Sequence, residues 1–235
     1  MSFLTAEWRK LAFANYIIDP ELLQKYAPPK TELDYWEGNC YASLVGFMFM
    51  KTKLLGIPVP FHRNFEEVNL RFYVRYKENE VWKRGVVFIK EIVPKPAITF
   101  IANTVYKEHY ATMRMSHEWK FTDKELRISY RWSDKKEDYH FLLTTQSESK
   151  SILTGSEEEF ITEHYWGYTS ADYKTTFEYE VTHPKWECYD VLDYDIKADY
   201  GRLYGEEFAV MNTMQPSSVF VAEGSPITIE QKKRI

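Results

Sequence analysis

Phe65-Glu66-Glu67-Val68-Asn69-Leu70-Arg71-Phe72-Tyr73-Val74-Arg75-Tyr76 alternates in character with a period of two from Glu67 to Tyr76. In an extended chain that period puts Val68, Leu70, Phe72, Val74 and Tyr76 on one face and Glu67, Asn69, Arg71, Tyr73 and Arg75 on the other. The segment is therefore predicted to be a strand with one greasy side and one chemically equipped side. A stripe of this kind more often faces water. In a small closed barrel, however, alternate residues point inward, and the polar set would line the lumen as a connected carboxylate, amide, guanidinium and phenol.

The flanks extend the sheet. Lys77-Glu78-Asn79-Glu80 predicts a turn into a second strand over 81–92, and Pro94 and Pro96 separate that strand from a third expected over 97–105. Connections this short make the three an antiparallel meander. Upstream, 41–50 is almost uniformly apolar, as in a strand covered on both sides, and Gly56, Pro58 and Pro60 end it. Further strands are expected over 115–121, 125–132, 139–145, 175–181, 186–194 and 217–222. Asp19-Pro20 predicts a short helix closed by Pro28-Pro29. Ser156 with Glu159 predicts a capped helix within 154–165, 200–211 carries a weaker helical pattern, and 231–235 reads as a solvated tail.

Composition agrees with a mainly β chain. The 235 residues are 44% hydrophobic and 17% aromatic, with 18 Tyr, 15 Phe and 7 Trp against 9 Gly. Flat rings of this kind suit pleated, half-buried surfaces. The length fits one domain, 1–235, and no linker or repeat divides it. A net charge of −5 supplies no basic footprint for nucleic acid. Charges within the first ten residues argue against a signal peptide, and the uncharged run 38–50 is too short to span a bilayer as a helix. Cys40 and Cys188, without motif spacing, read as buried thiols of a reducing compartment, so a cytoplasmic protein without membrane attachment is expected. The six His residues show no ligand spacing, and no phosphate loop, dinucleotide fingerprint or nucleophile elbow occurs, so neither metal nor cofactor is expected.

The segment 65–74 resembles the core strand of the YqjF-like relatives of acetoacetate decarboxylase, in which an acidic residue leads into an Asn-Leu-Arg-x-Tyr-Val run. Trp8-Arg9-x-Leu11, Asp19-Pro20, Trp36-x-Gly38, the run from Phe160 to Tyr165, and His183-Pro184-x-Trp186 extend the resemblance over most of the chain. It implies the acetoacetate decarboxylase-like fold, a bent mixed β-barrel closed around a cavity with a few short peripheral helices. It also aligns Glu67 with the acidic residue of the decarboxylase site. The decarboxylases attack a β-keto acid with a Lys that follows a Gly-aromatic-Pro turn. Here the corresponding stretch is Asn103-Thr104-Val105-Tyr106-Lys107-Glu108-His109-Tyr110, with no Gly-x-Pro-Lys, and the nucleophile position falls on Tyr110. Schiff-base decarboxylation is accordingly disfavoured. Lys107 beside Glu108 reads as a solvated ion pair.

These readings converge on a barrel that holds a small carboxylate- or carbonyl-bearing molecule. Glu67 is the candidate acid or base, Arg71 the candidate for an anionic group, and Asn69, Tyr73, Tyr106, His109 and Tyr110 are the further residues expected at the binding site. A ligand-holding barrel without turnover, or a protein-interaction barrel, is the alternative. A homo-oligomer is compatible with either.

Overall fold

The alternating segment forms the central stave of a cylinder. A computed structural model describes residues 2–235, the side chain of Tyr106 excepted. Seven strands make the barrel: β1 (Leu4–Ile17), β2 (Tyr41–Leu54), β3 (Phe65–Glu78), β4 (Val81–Val93), β5 (Trp166–Ser170), β6 (Thr176–Thr182) and β7 (Ser218–Ile229). Each pairs with the next in sequence, and β7 pairs with both β6 and β1, which closes the ring. All joints are antiparallel except β4 with β5, where Trp166 faces Gly85 and Gly167 faces Val86 in parallel register. The turn between β3 and β4 is the pair Asn79-Glu80, both at positive φ, as a tight hairpin that follows the twist of its strands requires.

A second sheet of four antiparallel strands, Arg114–Phe121, Glu125–Ser133, Asp138–Gln146 and Val191–Lys197, packs on the outside of the cylinder. The apolar face of β3 meets it: Val68, Leu70, Phe72 and Val74 share one core with Leu126, Ile128, Tyr130, Trp132 and Phe141. Gly46 on β2 leaves room for the Tyr130 ring, since a Cβ there would lie 3.0 Å from it. Because the greasy side of β3 is used up in this way, its polar side is left facing the lumen. There Glu67, Asn69, Arg71 and Tyr73 are all buried, beside a separate inner core that includes Phe13, Phe49, Phe65 and Phe220.

Several expectations are corrected. The segment 97–105 is not a third meander strand: Pro96–Ile101 is a helix, α1, and Ala102–Tyr106 a single π turn that continues it. Pro96 occupies the first turn, where a missing N–H costs nothing. Residues 4–17, for which no element was expected, form the long strand β1, whose alternation is hidden by register shifts between Thr5 and Glu7 and between Arg9 and Ala12. The expected strand 186–194 is two, Glu187–Tyr189 and Val191–Lys197, and β5 had no sequence expectation. The C-terminal tail is paired: Lys233 and Arg234 bridge Glu178 and Phe177 on β6. The capped helix is present as Glu157–Thr162, with the Ser156 side chain accepting from the Glu159 amide. Among the described residues no helix is long and apolar enough to cross a membrane.

Candidate functional site

Beside the lower half of β3 the lumen opens into a cavity of about 230 Å³. Its walls include Phe49 and Leu54 from β2, Phe65 from β3, Ile229 from β7, and Ile98, Ile101 and Ala102 from α1 and the π turn. The spacing of that last set is helical, which is why a period-two reading of 97–105 missed it. At the inner end stand three carboxyl side chains, Glu67, Glu91 and Glu108, with the phenols of Tyr110 and Tyr179.

Each reaches the site by a different route. Glu67 follows from the pleat of β3. Glu91 follows from a bulge in β4: Arg71 pairs with Phe88 but Leu70 pairs with Lys90, so Ile89 is an extra residue. The extra residue reverses the alternation, turning Glu91 inward opposite Asn69 and Lys90 outward to the Leu203 carbonyl. Glu108 and Tyr110 flank the start of a short strand, Tyr110–Thr112, that pairs in parallel with the end of β4. Tyr179 projects from β6 across Gly167, where a Cβ would fall 2.1 Å from the Tyr179 Cζ. Glycine at 167 is thus what lets that ring lie against the wall.

The hydrogen bonds link the acids without neutralising them. Asn69 Nδ2 donates to Glu67 Oε1 at 2.9 Å, and the Tyr110 hydroxyl donates to Glu67 Oε2 at 3.4 Å. Tyr110 is also bonded to Glu91, and Tyr179 to Glu108. Glu91 Oε2 and Glu108 Oε1 are buried without a hydrogen-bond partner. Among the described residues no Lys or Arg lines the cavity, and Lys232, outside the lining, acts on Glu108 through its charge. Burial therefore dominates the titration of all three. It pushes the Glu67 carboxyl up to about 7 against the pull of Asn69, Tyr110 and the more distant Arg71. It pushes Glu108 up to about 8, Tyr179 and the charge of Lys232 opposing and Glu67 reinforcing. Glu91 is driven well above the carboxylate range by burial and by both neighbouring acids. Three acids this close share protons at neutral pH, as one titrating system.

The other expected residues are distributed unevenly. Asn69 and Tyr110 belong to the acid cluster. Arg71 does not line the cavity: it is 7% exposed deeper in the lumen, its guanidinium 5.1 Å from the Phe13 ring centroid and 5.7 Å from that of Tyr73. Tyr73 is also outside the cavity, its hydroxyl 2.7 Å from Ser43 Oγ. His109 is exposed, because the extended backbone that sends Glu108 and Tyr110 inward sends the residue between them out. Tyr106 lies outside the described side chains. Lys107 is exposed at a left-handed φ of 63°, and Glu108 beside it is buried, so the two are not the solvated pair expected. Sequence reasoning also missed Glu91 and Tyr179.

Further along the same face of β3 lies a second polar cluster of opposite design. Asp34 accepts from Arg84 Nε at 2.7 Å and from His164 Nε2 at 3.1 Å. Burial would raise the Asp34 carboxyl, but these hydrogen bonds outweigh it and hold it at about 2. Burial lowers His164 to about 4, so at neutral pH it is an uncharged donor and Arg84 carries the charge. Nearby, Tyr73, Ser43, Asn15, Ser218 and Glu157 form an unbroken hydrogen-bonded chain.

The family profile of DUF2071, an uncharacterized conserved protein, matches residues 5–226. The uncharacterized protein YqjF of Bacillus subtilis (strain 168) is 29% identical over 180 residues, which cover 76% of this chain and 72% of that protein. Among solved structures, acetoacetate decarboxylase from Legionella pneumophila superposes with a TM-score of 0.66 at 14% identity, over 99% of this chain and 86% of that one. The enduracididine biosynthesis enzyme MppR complexed with pyruvate gives 0.71 at 11%, over 100% and 91%. An acetoacetate decarboxylase-like enzyme from Sphingomonas wittichii RW1 gives 0.68 at 11%, over 100% and 94%. At such identities the likeness is one of fold.

Proposed function

We propose, for a chain that belongs to the DUF2071 family and has the acetoacetate decarboxylase-like fold, that the cavity binds a small carbonyl-bearing molecule and exchanges protons with it at Glu67. The observation that carries this reading is the trio of buried carboxyls with no Lys or Arg among the described residues lining the cavity. Such a cluster holds both a base and an acid near neutral pH, as general acid–base catalysis requires. The carboxylate half of the expectation has less support, because Arg71 is not in the cavity wall. Arg71 acts instead through its charge, which restrains the rise of Glu67 and leaves it easier to ionise than Glu91.

The step is an enolisation. The Glu67 carboxylate removes a proton from the carbon next to the carbonyl, and the C–H electron pair becomes the new C=C bond. The carbonyl oxygen, held by the neutral Glu91 and Glu108 carboxyls, takes up a proton from Glu108. Reversal with solvent-equilibrated protons gives net isotope exchange and needs no oxidant or reductant. The pyruvate-bound relative gives a precedent for a carbonyl compound in this fold. The acidic net charge supports a partner other than nucleic acid, and the two free, buried cysteines support a reducing, cytoplasmic setting.

The test follows deuterium incorporation next to the carbonyl of 2-butanone and of pyruvate in D₂O by NMR. Glu67→Gln should lower the protein-dependent rate by about a hundredfold or more. The rate should peak between about pH 7, where Glu67 ionises, and about pH 8, where Glu108 gives up its proton. An unchanged rate in the variant rejects the proposal.

A further inference from the structure

The walls of the cavity and the ground outside its mouth share one chemistry. Phe49, Leu54, Phe65, Ile98, Ile101 and Ile229 make the passage from the acids outward almost entirely apolar. Ile101 is 45% exposed, so the passage reaches solvent there. The segments that supply its outer wall also carry bare apolar side chains: Phe61 at 89% exposure beside His62, Ile57 next but one to Val59, and Phe100 next to Ile101. A purely polar ligand of pyruvate's size would leave that path wet and unused.

The polar end limits the ligand from the other side. Glu91 Oε2 and Glu108 Oε1 have no partner, and both acids are pushed toward the protonated state, so they can donate to a neutral acceptor such as a carbonyl oxygen. An anionic headgroup would meet three acids and, among the described residues, no lining Lys or Arg. An ammonium headgroup would have to be stripped of water together with the carboxylate that it paired, a cost that often exceeds the Coulombic gain. We infer that this site takes an uncharged carbonyl compound with an apolar tail, its oxygen at the Glu91 and Glu108 carboxyls and its hydrocarbon chain running out along Phe65, Leu54 and Ile101.

The inference rests on the carbonyl reading above and specifies the substrate class. Ligand-observed NMR titration at pH 6.5 tests it with 2-butanone, 2-pentanone and 2-heptanone, then with 2-oxoheptanoate and 2-aminoheptane as the anionic and cationic counterparts. Affinity should rise by about threefold to fourfold for each added CH₂. The two charged compounds should bind about tenfold or more weakly than 2-heptanone. Ile101→Ser, at a half-exposed position whose fold is checked by thermal unfolding, should weaken 2-heptanone several-fold more than 2-butanone. Affinity that is flat with chain length, or a charged counterpart that binds as tightly as the ketone, overturns the inference. Exchange that depends on Glu67 in pyruvate but not in the ketones overturns it while leaving the enolisation standing. Chain-length-dependent binding without exchange does the reverse.

Discussion

Two buried polar clusters share the inner face of β3, and they handle charge in opposite ways. Around Asp34 the carboxylate is compensated within the protein: a guanidinium and an imidazole N–H hold it low at about 2, and the buried atom left without a partner is the neutral His164 Nδ1. Around Glu67 three acids have three neutral partners, Asn69, Tyr110 and Tyr179, no Lys or Arg among the described residues lines the cavity, and two carboxyl oxygens have no partner. The first cluster compensates its charged group internally, whereas the second leaves acid oxygens unsatisfied. A polar group buried without compensation costs stability, and such costs tend to be retained where a site uses them. The contrast supports the proposal that places the chemistry at the Glu67 end and not at the Asp34 end.

Removing the compensated anion should break the contrast most visibly. Asp34→Ala leaves Arg84 unpaired and His164 without its acceptor, and should destabilise the protein by about 3 kcal/mol in denaturant titrations at pH 7. Because its folded pKa lies below the ordinary 3.8, the wild type should lose this contribution as the pH falls from about 4 toward 2. A variant as stable as the parent would mean that the cluster is ornamental.

A smaller effect should come from Gly167→Ala. The new Cβ would clash with the Tyr179 ring, and relieving that clash costs about 2 kcal/mol in thermal unfolding. Displacing Tyr179 also removes the hydrogen bond that restrains Glu108, so the alkaline limb of the exchange profile should move to higher pH. An unmoved limb would detach Tyr179 from the site.

Glu91→Gln sharpens the comparison from the other side. Glu91 keeps its proton when folded and loses it above about pH 4.5 when unfolded, so the wild type becomes less stable as pH rises from there. The variant lacks that drain. Its stability relative to wild type should grow by about 1.4 kcal/mol per pH unit between pH 5 and 7, read as denaturation midpoints. A pH-independent difference would show that Glu91 is not held neutral.

How much of this could be read from the chain depended on whether the backbone kept its rhythm. The alternation of 67–76 survives intact in β3, so its two faces, Glu67 and the barrel class were all legible. Glu91 was not, because one extra residue at Ile89 reverses the parity of β4, and nothing in a run of apolar residues announces a bulge. Glu108 was hidden by its neighbour: a Lys-Glu pair normally sits in water, and only the turn at Lys107 separates the two. Tyr110 was reachable through the family resemblance alone. For Arg71 the sequence offered the right face but not the depth, since i and i+4 on a strand stand too far apart to be assigned to one cavity without coordinates.

The number of barrel strands has a consequence of its own. Around a closed ring, neighbours that all run head-to-tail must come in an even total, so a seven-membered ring is obliged to contain a parallel joint. A parallel joint cannot be made by a hairpin and demands a long excursion from one end of the cylinder to the other. This chain makes that joint between β4 and β5, and the excursion, residues 94–165, carries α1, Glu108, Tyr110 and three strands of the outer sheet. The arithmetic of closure thus dictates a detour, and much of the equipment of the lumen is built along it.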